Sequence, residues 1–430
     1  MSARAEPLSA SRDPLLWCCA IAAGFLALTL HRLAIPSKEY FDEIHYLPAA
    51  RNLLALSEAR NTEHPMLAKE LMAVAIQAIG DTPFGWRIGS AIAGTVALFA
   101  AMRGVWWAAL SRPATIVAGL LLASNFMWFV IARIAMLDAY MLAFAMTALW
   151  LCARAVRKPE AARRDLALAG LALGLSLASK WSVAPVAVLP GLAFAAARWR
   201  ALSGRRQQVL TAVDAGPVPG VSLLEAAVWL GALPLAVYLL TFLPLGWFAS
   251  GAVPFSEVIA LQARMVELQE SVVKPHPYQS QWWQWVANLR PIWFLYEPVD
   301  GAQRGVLMVG NPVTMLVGLP ALAVCAVWGW LRRDAAMLAV VVLYAATLGV
   351  WVVAAKPVQF YYHYLLPGTF LTVGIALVAG AWWERDRRWP AVVVAIVALG
   401  LFAWFYPILS SARLPGPQAF LTYTWLHSWR

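Results

Sequence analysis

Phe41-Asp42-Glu43-Ile44-His45-Tyr46 follows directly on the first membrane-length apolar run of this 430-residue chain, and Glu63-His64-Pro65 comes shortly after it. Ionisable groups so close to hydrocarbon need partners, water or a task. A carboxylate at a bilayer face is costly when left alone, so a cluster of carboxylates and imidazoles there reads as a functional site.

The run before this island is the first of eleven. Apolar stretches of membrane-spanning length start near Pro14, Ile88, Ala114, Ala139, Asp165, Ser182, Leu224, Val306, Ala335, Leu365 and Pro390. The fifth and sixth are divided only by Lys180-Trp181 and Pro185. With 62% hydrophobic and 13% charged residues, the chain is too apolar for a soluble protein. It reads as an all-α polytopic membrane protein. The first run carries no small-residue cleavage site followed by a soluble chain, so it is expected to stay as a span. Many of the 23 tryptophans sit at run ends, such as Trp106-Trp107 and Trp382-Trp383, as interfacial belts do. Cys18, Cys19, Cys152 and Cys325 all fall inside apolar runs and form neither a metal-ligand pattern nor an extracellular disulfide pair.

The net charge of +11 raises the question of nucleic acid. The basic residues answer it: more than half of the 33 lie in short clusters between spans, at Arg4 and Arg12, Arg103 and Arg112, Arg154 to Arg164, Arg198 to Arg206, Arg332-Arg333 and Arg385 to Arg388. That is the positive-inside pattern, with no basic stripe interleaved with aromatics for a nucleic-acid partner. With the amino terminus cytoplasmic, an odd number of spans puts the two long segments, 34–87 and 250–305, and the carboxyl terminus outside. Residues 1–430 are therefore expected to form a single membrane-embedded domain with these two outer loops. In the first loop, Tyr46 to Leu56 and Met66 to Ile79 have helical apolar spacing, which predicts two short helices at the membrane interface. The second is rich in tryptophan and proline, and no internal repeat is visible.

The outer ends of the spans add Lys69, Arg87, Arg133, Asp138, Lys180, Lys356 and His363 to the island. Carboxylates with scattered cations, and no Gly-rich Lys-Ser nucleotide loop, suit a reaction in which a base activates a hydroxyl while cations hold an anionic leaving group. A phosphate on a lipid carrier is such an anion at this depth. Each residue also has a plainer role open to it. Asp42 and Glu43 can cap an interfacial helix, Arg133 and Asp138 can pair with each other, Lys180 can snorkel, and His64 before Pro65 can shape a turn. The tryptophans of 282–285 suit interface packing ahead of a sugar platform. His45, His276 and His363 offer metal ligands by type, but no His-x-x-x-His or carboxylate-bridged spacing supports a divalent metal, and no cofactor is firmly implied.

The island, then Glu63-His64-Pro65-Met66-Leu67-Ala68-Lys69 and Phe84-Gly85-Trp86-Arg87, resemble the protein O-mannosyltransferase family, which reads Phe-Asp-Glu-x-His-aromatic, His-Pro-Pro-x-x-Lys and Gly-aromatic-Arg. Ala132-Arg133-Ile134-Ala135-Met136-Leu137-Asp138 is similar to its Thr-Arg-x-x-Leu-Leu-Asp element. Ser179-Lys180-Trp181-Ser182 is similar to its Lys-Trp element, and His276-Pro277-Tyr278-Gln279-Ser280 with Leu289-Arg290-Pro291 to the carboxyl-terminal half of bacterial members. Met66 departs from the second proline, and the large lumenal domains of eukaryotic members are missing. The resemblance implies a C-type glycosyltransferase fold of eleven spans in the cell (inner) membrane, with its site on the periplasmic or extracellular side. It implies inverting transfer of mannose from a polyprenyl-phosphate donor to Ser/Thr hydroxyls of exported proteins, and an oligomer is compatible with it. Asp42 would be the base and Glu43 its neighbour in acceptor binding. Arg87, Arg133 and Lys180 would orient the loop or hold the phosphate, with His64, Lys69, Asp138 and His363 completing the substrate site.

Two alternatives use the same residues. One is a lipid-linked-sugar transferase acting on lipid A or a polysaccharide, as aminoarabinose transferases do. The other is a secondary transporter, which would call for mid-span charges and inverted repeats that the sequence does not show.

Overall fold

The computed structural model describes residues 13–271, 273–354 and 356–430. Arg4 and Arg12, counted above among the inner basic clusters, lie outside the described residues. Helix α1 (Leu15–Leu30) is apolar all round, and the chain then forms the two short helices α2 (Glu43–Ala55) and α3 (Leu67–Ile79). Their positions match the helical spacing of Tyr46 to Leu56 and Met66 to Ile79. In α3 that spacing buries Ala68, Lys69, Met72, Ala73 and Ile76 on one face.

Helix α4 (Pro83–Ala109) starts under a Thr82 cap with Pro83 in its first turn, a pairing that fixes where a helix begins. Helix α5 (Arg112–Ala123) breaks at Ser124, and the Asn125 side chain caps the short α6 (Phe126–Ile131). Helices α7 (Leu137–Arg157), α8 (Ala162–Ser179) and α9 (Ala184–Ala201) follow. Helices α10 (Leu223–Ala227) and α11 (Leu233–Leu240) are joined by one π-helical turn, Val228–Ala232. Two glycines of α8 face this rod. A β-carbon at Gly170 would stand 1.9 Å from the Trp229 carbonyl oxygen, and one at Gly174 would stand 2.7 Å from that of Pro234. Small residues four apart thus let α8 approach at backbone distance and fix its C-terminal end, where Lys180 sits.

The second long segment, expected at 250–305, holds α12 (Val258–Glu270), α13 (Trp282–Val286) and an antiparallel hairpin of β1 (Ile292–Val299) and β2 (Ala302–Met308). The hairpin is the departure from an all-α chain. The apolar run expected from Val306 begins as strand, and the helix starts only at α14 (Pro312–Arg332). Local chemistry explains it: β1 is built of aromatic and branched residues, and Asp300-Gly301 turns the chain with φ of 50° and 70°, the two-residue geometry that Asp-Gly favours. Helices α15 (Ala335–Val353), α16 (Leu365–Trp383) and α17 (Trp389–Leu409) complete the fold.

A helix lies at each expected run, but eight stretches are long and apolar enough to cross a bilayer among the described residues. Of the other three, α1 has 16 residues, α5 has 12 before its break, and α8 carries Arg163, Arg164 and Asp165 in its first turn. The most enclosed span is that of α16, which packs on α5, α14, α15 and α17. Helices α4, α7 and α8 pack in series, with α4 joined to α16 through α5, and present the start of α4, the start of α7 and the end of α8 to the same side as α2 and α3.

Candidate active site

The two acids of the island have opposite surroundings. Glu43 opens α2 and is fully buried. Its carboxylate takes Nε and Nη2 of Arg87 at 2.8 and 2.9 Å, and the backbone N–H groups of Ala135 at 2.9 Å and Tyr40 at 3.3 Å. Arg87, equally buried, spends its remaining donors on the carbonyls of Leu33, Pro36 and Lys38. A buried ion pair is stable only when such extra bonds satisfy every donor and acceptor, and here they tie α4 to the chain on both sides of the island. Arg133 is used in the same way. It donates to the carbonyls of Thr29, His31, Arg32 and Ser410, gathering the free carbonyls at the end of α1.

Asp42 precedes α2 without capping it. Its carboxylate accepts one hydrogen bond among the described residues, from the Tyr46 hydroxyl at 3.4 Å, and the residue stays partly exposed. The backbone holds it there through Phe41. That residue has φ of 53°, a conformation uncommon outside glycine, and its ring stacks on Phe294 at 3.9 Å. Protein surrounding Asp42 raises its pKa to about 6, against the opposing pull of the Lys180 ammonium; Asp138 adds to the rise and His45 and Lys356 offset it.

Asp138 and Lys180 form a second ion pair, with Nζ at 2.9 and 2.7 Å from the two carboxylate oxygens. Arg133 is therefore not the partner of Asp138. The acid sits in the first turn of α7 and the ammonium at the end of α8, where the helix dipoles favour each charge. Nor does Lys180 snorkel: it is buried, with its ammonium 4.8 Å from the centre of the Tyr362 ring.

Lys356 completes the cationic side. Its ammonium has one hydrogen-bond partner among the described residues, Gln269 Oε1 at 2.9 Å, and burial lowers its pKa to about 8. Gln269 was not visible as a site residue in the sequence. Its Nε2 donates to the Glu63 carbonyl and lies 3.3 Å from His64 Nδ1, so one side chain of α12 joins the turn between α2 and α3 to Lys356. His64 is held neutral by burial and then by the charges of Lys180, Lys356 and Lys69. Lys69 is buried beneath this turn, donates to the carbonyls of Asn61 and His64, and has its pKa lowered by burial to about 8. Among the described residues the Met66 backbone N–H makes no backbone hydrogen bond, so a proline at this position, which lacks that donor, would lose no such bond.

His363 stacks on Trp351 at 3.8 Å and accepts at Nδ1 from the Phe360 N–H. Trp285 is fully buried and packs beside it, while Trp282 and Trp283 are exposed. The His276 to Ser280 stretch docks on this layer, with the Ser280 N–H donating to the Gln359 carbonyl. His45 is exposed and makes no side-chain hydrogen bond among the described residues. No three His, Cys, Asp or Glu side chains converge as a metal-ligand group among the described residues.

The bundle of apolar helices carries a carboxylate, two ammonium groups and an aromatic layer at one end, and its fold is that of the membrane-embedded C-type glycosyltransferases. The fold is shared with the *S. cerevisiae* protein O-mannosyltransferase Pmt1-Pmt2 complex bound to the sugar donor (TM-score 0.78, 13% identity, 98% of this chain and 94% of that one). It is shared more loosely with ArnT from *Cupriavidus metallidurans* bound to undecaprenyl phosphate (TM-score 0.56, 14% identity, 93% and 77%). Residues 20–249 match the model of the dolichyl-phosphate-mannose-protein mannosyltransferase family, and residues 254–429 match the C-terminal four-helix region of protein O-mannosyltransferases. The chain belongs to that family and is a multi-pass membrane glycosyltransferase. A similar curated protein is the polyprenol-phosphate-mannose–protein mannosyltransferase of *Mycobacterium tuberculosis*, 29% identical over 94% of this chain and 89% of that protein. Family and relative favour the protein-mannosyltransferase expectation over the aminoarabinose-transferase and transporter alternatives.

Proposed function

We propose that the protein transfers mannose, with inversion, from a polyprenyl-phosphate carrier to serine or threonine hydroxyls of exported proteins at the outer face of the cell membrane. The observation that carries this reading is the division of labour between adjacent acids: Glu43 is consumed by Arg87, whereas Asp42 is open beside Lys180 and Lys356. Asp42 takes the proton of the acceptor hydroxyl as its oxygen attacks the anomeric carbon. The bond from that carbon to the phosphate oxygen breaks, and the lipid phosphate leaves with the electron pair. Lys356 and Lys180 face the developing charge, and a pKa near 6 leaves Asp42 ionised at neutral pH yet more basic than a free carboxylate.

In this assignment Glu43, Arg87 and Arg133 shape the site rather than touch substrate. Asp138 holds Lys180 in place, and Lys69 and His64 build the wall that Gln269 ties to Lys356. His363 and Tyr362 supply an aromatic face for the donor. A paired assembly belongs to the same proposal, since the yeast neighbour is a Pmt1-Pmt2 complex; light scattering in detergent tests it. The experiment for the reaction is transfer of radiolabelled mannose from polyprenyl-phosphate mannose to a Ser/Thr peptide by purified protein. Transfer is expected with wild type and not with Asp42→Asn; full activity in that variant rules out Asp42 as the base.

A further inference from the structure

The hairpin is irregular at the point where it meets the site. Trp293 pairs with Leu307 and Leu295 with Val306, so Phe294 is an extra residue in β1 with no partner in the register of β2. A bulge of this kind bends the strand and re-aims a side chain. Burial shows the effect: Ile292, Trp293, Phe294 and Leu295 are buried in a row, where a strand with one covered face would bury every second residue.

The Phe294 ring stacks on Phe41 at 3.9 Å with 14° between the planes, and Tyr362 meets Phe41 edge-on at 6.0 Å. Tyr362 is also the ring under the Lys180 ammonium. One run of rings therefore joins the residue before Asp42 to the cation beside it.

Phe41 needs such a hold. Its φ of 53° is a conformation that a bulky side chain keeps only when the surrounding packing imposes it. Two further contacts bring the same stretch to the hairpin: the Ser37 N–H donates to Asp300 at 2.9 Å, and Lys38 pairs with Glu297 at 2.6 Å. Both join exposed or half-exposed side chains, where a polar contact contributes little, and of the three hairpin partners only Phe294 is buried. Asp42 thus lies between two fixed points. Arg87 secures the chain at Glu43 on one side, and Phe294 secures it at Phe41 on the other.

We propose that Phe294 is a positioning residue for the transfer: the bulge in β1 sets its ring against Phe41, which fixes the backbone ahead of Asp42 and holds the carboxylate beside Lys180. This rests on Asp42 acting as the base, as proposed above. It adds a residue from outside every sequence element that pointed to the site.

The test compares purified wild type, Phe294→Leu and Phe294→Ala in mannose transfer to a Ser/Thr peptide, with both KM values, the pH profile and the melting temperature measured on the same preparations. Leucine keeps most of the buried apolar volume and loses the stack, so Phe294→Leu is expected to melt near wild type. Both variants are expected to lose on the order of ten- to a hundredfold in kcat, with each KM within about twofold of wild type. The acidic limb is expected to move to lower pH as water reaches a loosened Asp42, since Lys180, Asp138, His45 and Lys356, the charges that face it, are unaltered. Unchanged turnover in both variants overturns the proposal. So does a fall in kcat that only follows a loss of folded protein, with the limb in place. A raised peptide KM at unchanged kcat makes Phe294 an acceptor contact and overturns its positioning role equally. Absence of transfer by wild type to every peptide overturns the functional reading itself, and the role of Phe294 with it.

Discussion

The knot around Glu43 and the cleft around Asp42 are one residue apart in the chain and opposite in design. In the knot, each carboxylate oxygen and each Arg87 nitrogen has a partner, and nothing is open to a substrate. In the cleft, a carboxylate and an ammonium each keep a single hydrogen bond among the described residues, at Asp42 and Lys356. The difference shows how a membrane protein can afford an under-partnered acid near hydrocarbon: the adjacent acid is over-partnered and fixes the backbone that holds it.

Breaking the knot is expected to have the largest effect. Arg87→Met leaves Glu43 buried without its cation and should cost about 3–5 kcal/mol of stability, seen as a large fall in the detergent melting temperature. Adding Glu43→Leu should return part of that loss, because two apolar groups bury no charge. Beside the open acid, Lys180→Ala should lower kcat by about a hundredfold and, by leaving Asp138 buried without its cation, also lower the melting temperature, whereas Lys180→Arg should retain much more turnover, since the positive charge is kept. Unchanged turnover in Lys180→Ala would move the phosphate site elsewhere.

The pH profile sharpens the comparison further. Asp42 must be ionised and Lys356 protonated, so kcat/KM should rise through about pH 6 and fall through about pH 8. Lys356→Gln removes a charge that lowers the Asp42 pKa, so the acidic limb should move to higher pH and the alkaline limb should fade. Lys356→Arg should keep the acidic limb and extend activity to higher pH. The smallest effect is expected at Gln269. Gln269→Ala should raise the donor KM a few-fold and shift the alkaline limb, whereas a purely structural loss would lower the melting temperature and leave the limb in place.

Much of this was legible in the residues themselves. The Asp42-Glu43 pair, the cations at span ends and the two short outer helices stand out because charge and helical spacing contrast with apolar runs. What the sequence did not separate is which acid is free, since that depends on Arg87 arriving 44 residues later and on the Ala135 N–H. The pairing of Asp138 with Lys180 rather than Arg133 likewise follows from α7 and α8 packing together. Gln269 has no sequence signal, because its partners lie 206 and 87 residues away. The hairpin is different: Asp300-Gly301 after the aromatic stretch Trp293–Tyr296 is a turn signal, but Val306 onward also fits the start of an apolar run.

The most direct test places Asp42→Asn and Glu43→Gln side by side, with mannose transfer and melting temperature measured on the same preparations. Asp42→Asn is expected to melt like wild type and lose about a thousandfold in turnover, while Glu43→Gln melts clearly lower. A destabilised Asp42→Asn that keeps its turnover, beside a Glu43→Gln that is stable and inactive, would contradict the assignment of the two acids.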